Sequence, residues 1–250
     1  MVEPLLRVEQ VSKRFGGLLA LDRASFAAEH GRITALIGPN GAGKTTLFSI
    51  IAGLLPLSTG LIVYDGVRIT GERPYRLARR GIARTFQIAQ PFMGLTVREN
   101  IAVGAHLWRP ARADALAAAE DIAYEVGLGE LTDRPAATLT VAGRKRLELA
   151  RALAIEPRLL LLDEVLAGLN PSEITDMVPV IRAILARGVT IIMIEHVMQA
   201  VLNLAQRVYV LSEGRVIADG PPQAIVANPL VVEAYLGHGA AARMMGNSRA

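Results

Sequence analysis

Apolar residues form short unbroken runs at both ends of the chain and helix-spaced stripes between them. Residues 33–37 (ITALI) and 159–162 (LLLL) are continuous runs of strand length, the pattern of parallel strands buried on both faces. Further β-type runs at 5–11, 24–28 and 61–64 are broken by glycine-rich turns, with one helix after Lys44. From 94 to 153 the spacing becomes helical, at 97–106, 111–126 and 144–153, parted by Gly127, Gly129 and Pro135. The alanine-rich middle helix needs no reading beyond high helix propensity. Alternation then resumes with strand 159–162, helix 172–186, strand 189–194, helix 197–205 and short strands at 207–211 and 216–219 around Glu213-Gly214. This order predicts an α/β fold whose parallel sheet is covered on both faces, with a helical lobe inserted into it. Residues 237–250 carry no period and are expected to be disordered or weakly helical.

The first candidate chemistry lies between the run at 33–37 and the helix after it. Gly38-Pro39-Asn40-Gly41-Ala42-Gly43-Lys44-Thr45-Thr46 fills the pattern GxxxxGK[ST]. Glycines let successive backbone N–H groups turn inward onto phosphate oxygens without Cβ clashes. Lys44 is placed to reach the β- and γ-phosphates and Thr45 to offer its hydroxyl to Mg²⁺. The helix that follows aims its positive end at the same anion. The run 159–162 ends in Asp163 and Glu164, so a buried strand delivers two carboxylates. Beside a phosphate loop, Asp163 acquires the task of holding Mg²⁺ through water and Glu164 that of polarising the water that attacks the γ-phosphate. Together the two elements read as a nucleoside triphosphatase.

Composition narrows the setting. With 250 residues, 52% of them hydrophobic, the chain suits one large domain or a domain with a smaller lobe. It has no cysteine, which excludes a disulfide framework and thiolate metal sites and agrees with a reducing cytoplasm. No apolar run approaches the ~20 residues that span a bilayer, and the start lacks the pattern of a secretory signal, so a soluble chain is expected. The net charge of +4 is scattered except at Arg144, Lys145, Arg146 and Arg151. That cluster reads as a solvated helix face rather than a nucleic-acid groove, because aromatic residues make up only 4% of the chain. A basic balance also suits an anionic membrane surface.

With both nucleotide elements in place, residues 5–237 resemble the ATP-binding subunits of ABC transporters. The resemblance puts Phe15, in "KRFGGLLALD", against the adenine face. It puts Gln87, in "RTFQ", at Mg²⁺ and the attacking water, and His196, in "IMIEHVM", at the γ-phosphate. The stretch "LTVAGRKRLELAR" from Leu139 aligns with the family's LSGGQ signature, with Thr140 at the serine, Val141 and Ala142 at the glycines and Gly143 at the glutamine. In that family this loop binds the γ-phosphate held by an opposite subunit, so Thr140, Ala142 and Gly143 become expected nucleotide contacts. Ala142 adds a Cβ where glycine lets the backbone approach closely, which weakens the expected ATP sandwich. Val165 and "AGLNP" are smaller departures.

The phrases "RFGGLLALD", "RTFQ", "LTVREN", "RLELARAL", "AGLNP", "IEHVM" and "ANPLVVEAYLG" look like the ATPases of bacterial importers for branched-chain amino acids and related amides. Urea, short amides and aromatic acids stay open as cargoes. The resemblance implies a P-loop NTPase core with a parallel sheet, an N-terminal antiparallel β part and an inserted helical lobe. It implies one ATP-binding domain over 1–236, with core at about 1–88 and 156–236 and lobe at about 89–155. It further implies ATP and Mg²⁺, transmembrane permease subunits docking near Gln87 and residues 95–100, a second ATP-binding subunit (homo- or heterodimer) and, indirectly, a solute-binding protein. Nucleic acid is not an expected partner, and the expected location is the cytoplasmic face of the plasma membrane. Thr96 and Glu99 in "LTVREN" also have the spacing of a capping box. The alternatives are a soluble ABC ATPase acting on nucleic acid or ribosomes, and a non-hydrolysing nucleotide-gated interaction protein suggested by the altered signature.

Overall fold

The computed structural model describes residues 3–87 and 90–236, and the chain divides into two compact units, Met1–Glu72 with Ile192–Ala250, and Arg73–Ile191. The tail expected to be disordered, 237–250, lies outside the described residues.

In the first unit, β1 (Leu6–Phe15) and β2 (Leu18–Ala28) form an antiparallel hairpin. Leu6 and Val8 are buried from β1 in period-two alternation, which shifts by one residue at a bulge where Gln10 takes φ 49°, so that Val11 is the next buried position. The strand runs past residue 11, where the apolar pattern stops, because Lys13 folds its stem inward and donates from Nζ to Pro56 O at 2.7 Å. The fully buried β3 (Ile33–Ile37) leads through the glycine loop into α1 (Lys44–Ile51). β4 (Thr59–Tyr64) then pairs antiparallel with β1, and the two-residue β5 (Val67–Arg68) with β4, completing the N-terminal antiparallel sheet in the order β2-β1-β4-β5.

The second unit opens with α2 (Pro74–Arg79) and β6 (Ile82–Arg84), neither legible as periodicity. Its helices α3 (Val97–Ala105), α4 (Arg112–Glu125) and α5 (Val141–Leu153) match the helical stripes. The capping box at α3 forms as read: Glu99 N donates to Thr96 Oγ1 at 3.2 Å and Thr96 N to Glu99 Oε2 at 3.0 Å. α5 begins three residues earlier than its apolar spacing suggests, because Thr140 Oγ1 accepts from Gly143 N at 3.1 Å and caps it. β7 (Leu159–Asp163) pairs parallel with β6, in the register Ile82 to Leu159 and Arg84 to Leu161. Leu159 to Leu162 are wholly buried, worth about 2 kcal/mol each in removed apolar surface. α6 (Pro171–Ala186) follows, and β8 (Thr190–Ile194) carries the chain back into the first unit.

There α7 (Met198–Leu204) precedes β9 (Arg207–Ser212), which pairs parallel with β3, and β10 (Arg215–Gly220), which pairs antiparallel with β9. The proline-started helices α8 (Pro222–Val226) and α9 (Pro229–Leu236) were not signalled by periodicity.

Candidate functional site

The phosphate loop is shaped by contacts that only glycine permits. Gly38 leaves β3 with φ 147°, and a Cβ built there would sit 1.9 Å from Leu211 O of β9. Gly43, at φ 102°, would put a Cβ 2.6 Å from Ala20 O. Both clashes are with backbone, which cannot swing away. Lys44 is only 6% exposed and donates from Nζ to Gly38 O at 2.7 Å and Pro39 O at 2.9 Å, so the loop curls around its own cation. α1 has no side-chain cap and no acidic residue in its first turn. A helix start of this kind suits an anion, because its leading N–H groups and its dipole favour negative charge and no carboxylate of its own first turn opposes one. Asn40, Gly41 and Thr45 are exposed, Pro39 and Thr46 are half-buried and Ala42 is buried. In the same unit, Phe15 ends β1 with a ring 44% exposed, and Lys13 Nζ lies 4.9 Å from its centroid. His196 is exposed two residues beyond β8.

Tyr235 of α9 adds a contact that sequence reasoning missed. Burial raises its hydroxyl pKa above the usual tyrosine value, and a hydrogen bond from the Gly38 backbone partly offsets this. The last described helix thus touches the first residue of the phosphate loop.

In the second unit, Asp163 is 1% exposed at the end of β7. Its Oδ2 accepts from Arg84 Nη2 at 2.7 Å, its backbone N–H donates to Thr85 Oγ1 at 3.0 Å, and its buried Oδ1 has no hydrogen-bond partner. The next residue, Glu164, has φ 50°, a left-handed conformation unusual outside glycine. Gln87 reaches it: Gln87 Nε2 donates to Glu164 Oε2 at 2.7 Å. Thr140, Ala142 and Gly143 open α5, with Thr140 exposed and Ala142 half-buried.

The basic cluster on α5 is not a solvated face, contrary to the expectation from sequence. Lys145 is 7% exposed, and its Nζ donates to Gln87 O and to Glu164 O, both at 2.9 Å. Arg146 donates to Val126 O at 2.7 Å, Arg151 to Gln90 O at 2.9 Å and Arg144 to Ala137 O at 3.4 Å. These cations donate to backbone carbonyls, and Arg151 also to Glu148 Oε2 at 3.4 Å, so the cluster is tied to the chain itself. Glu148, on the same helix, accepts from Phe86 N at 3.2 Å; burial raises its carboxyl pKa against the opposing pull of Arg151 and of the Phe86 and Gln90 N–H groups.

A buried strand, a glycine loop closed around a lysine and an uncapped helix start define a P-loop nucleotide-binding fold. The family profile described as "ABC transporter" matches residues 21–167, and that of the "Branched-chain amino acid ATP-binding cassette transporter" matches 215–241. The chain is 38% identical to the high-affinity branched-chain amino acid transport ATP-binding protein BraF of Pseudomonas aeruginosa, over 95% of this chain and 99% of that protein. It is 37% identical to LivG of Escherichia coli, of the same description and with the same coverage. A nucleotide-free ATP-binding cassette from an ABC transporter superposes with a TM-score of 0.87 at 32% identity, covering 94% of this chain and all of that one. The chain belongs to the ATP-binding subunits of ABC transporters, and it is an ATPase whose hydrolysis is coupled to transport. This sets aside the nucleic-acid alternative and the non-hydrolysing one. Among the described residues no helix is long and apolar enough to cross a membrane.

Proposed function

We propose that this chain is the ATP-hydrolysing subunit of an importer for branched-chain amino acids, or for closely related small amides, working at the cytoplasmic face of the plasma membrane. The observation that carries the cargo class is the C-terminal match at 215–241, together with relatives of that description aligned along nearly the whole chain. ATP binding closes two ATP-binding subunits on each other, closure rocks a transmembrane permease, and hydrolysis reopens the pair. A solute-binding protein delivers the cargo from the other side. The proposed domain spans 1–236, with a helical lobe at about 89–155 that receives the permease.

In this reading the backbone of Gly38 to Thr46, with Lys44, cradles the phosphates and the Phe15 ring takes the adenine. His196 contacts the γ-phosphate, and Thr140, Ala142 and Gly143 meet the γ-phosphate of the partner's nucleotide. Glu164, oriented by Gln87, accepts the proton of the attacking water. The residues suit a hard divalent cation: the buried Asp163 Oδ1 has no other partner, and Thr45 offers an exposed hydroxyl, both oxygen donors. With Gln87 they would hold Mg²⁺, which when bound neutralises charge building on the β- and γ-phosphate oxygens.

The test is affinity capture of the Glu164→Gln chain from native membranes in Mg-ATP. Two polytopic permease subunits and an ATP-binding partner should be retained. Recovery of ribosomal or DNA-bound proteins without a permease would overturn the reading.

A further inference from the structure

We propose that Lys145 is a positioning residue for hydrolysis, fixing the pair Gln87 and Glu164 by holding both of their backbone carbonyls from one buried ammonium. The inference rests on the reading of Glu164 as the group that receives the water's proton. Three hydrogen bonds close a triangle. Lys145 Nζ donates to Gln87 O and Glu164 O at 2.9 Å each, and Gln87 Nε2 donates to Glu164 Oε2 at 2.7 Å. An ammonium has three donors and no acceptor, so one group can bind two carbonyls from different segments at once. With Lys145 buried, these charge-assisted bonds act in a medium of low dielectric and are stronger than their surface counterparts.

The backbone explains why such a pin is needed. Glu164 sits at φ 50°, where a non-glycine residue is intrinsically disfavoured and persists only if its surroundings over-determine it. Its carbonyl accepts from Lys145 and also from Ala167 N at 3.1 Å, so both bonds hold the turn in the conformation that aims the carboxylate at Gln87. The same helix secures the neighbouring segment. Glu148 takes the Phe86 N–H and Arg151 the Gln90 carbonyl, so α5 carries the contacts that set where Gln87 lies. A small error in the placement of a catalytic group lowers the rate more than the affinity, since the nucleotide is gripped elsewhere.

The experiment compares steady-state Mg-ATP hydrolysis by the full chain carrying Lys145→Met, Lys145→Arg, Glu164→Gln, and Lys145→Met with Glu164→Gln. Lys145→Met should lower kcat about tenfold or more with KM for ATP held within about twofold. Lys145→Arg, which keeps the charge and the donors, should restore part of the rate. The double variant should be no slower than Glu164→Gln alone, because the residue acts through that carboxylate. Hydrogen exchange at residues 163–168 should rise in Lys145→Met while Tm stays near wild type. If Lys145→Met does not fold, Lys145→Gln, whose shorter amide reaches at most one of the carbonyls, takes its place. An unchanged kcat, or a loss of rate shared equally with KM and Tm, overturns the proposal. Wild-type turnover in Glu164→Gln would instead overturn the role of Glu164; inactivity there beside full activity in Lys145→Met would sink the positioning role alone.

Discussion

The phosphate loop and the loop opening α5 are both proposed to offer backbone N–H groups to phosphate, yet only the first keeps glycine at every position where its pattern wants one. The difference is in what surrounds them. At Gly38 and Gly43 the carbonyls of Leu211 and Ala20 close the space that a Cβ would need, and φ is positive at both. At the start of α5, Val141 is 57% exposed and Ala142 half-buried, and a Cβ added at Gly143 would meet Leu139 side-chain atoms only at 3.3 Å. Glycine is held in place where packed backbone leaves no alternative. It gives way where the neighbouring space is open or lined by side chains that can adjust.

That contrast can be broken at its strong end first. Gly38→Ala should destabilise the chain by about 3 kcal/mol or more, since the opposing oxygen belongs to β9 and cannot turn aside; a urea unfolding midpoint near wild type would show that the loop has slack. A middle-sized effect is expected at Thr140. Thr140→Ala removes the acceptor for Gly143 N–H and should cost about 1 kcal/mol in the same assay, with Thr140→Asn close to wild type. If Ala and Asn behave alike, the cap contributes nothing. The smallest effect belongs to Ala142→Gly: a loss of stability below about 1 kcal/mol, accompanied by stronger ATP-dependent self-association in the Glu164→Gln background. Unaltered self-association by light scattering would mean that the added methyl never limited the approach of phosphate.

Contiguity decided what could be read from the residue order. The stretch from Gly38 to Thr46 and the run into Asp163 each carry their chemistry within a few neighbouring positions, and the capping box at Thr96 needs only its own turn. From sequence Lys145 reads as solvated, because a basic cluster on a helix is usually exposed, while its partners in the fold lie 58 and 19 residues away. Arg84 illustrates the same limit, standing inside the noticed phrase "RTFQ" but facing an aspartate 79 residues on. The polar end of β1 was lost for a related reason, since a lysine that snorkels inward has no signature in hydropathy. Helix α8 is too short for a period to emerge, and α9, PLVVEAYL, is apolar at nearly every position, so no stripe stands out.

The bonds from Lys44 to the Gly38 and Pro39 carbonyls have a thermodynamic consequence. A free lysine side chain surrenders about 2 kcal/mol of rotamer entropy when immobilised. Here that loss is incurred during folding, while the chain is still alone. In the role proposed for Lys44, nucleotide arrival would be an exchange of acceptors, with phosphate oxygens replacing neutral carbonyl oxygens around an ammonium already immobilised. Under that proposal, preorganisation of this kind would leave a larger share of the binding free energy for the phosphates themselves.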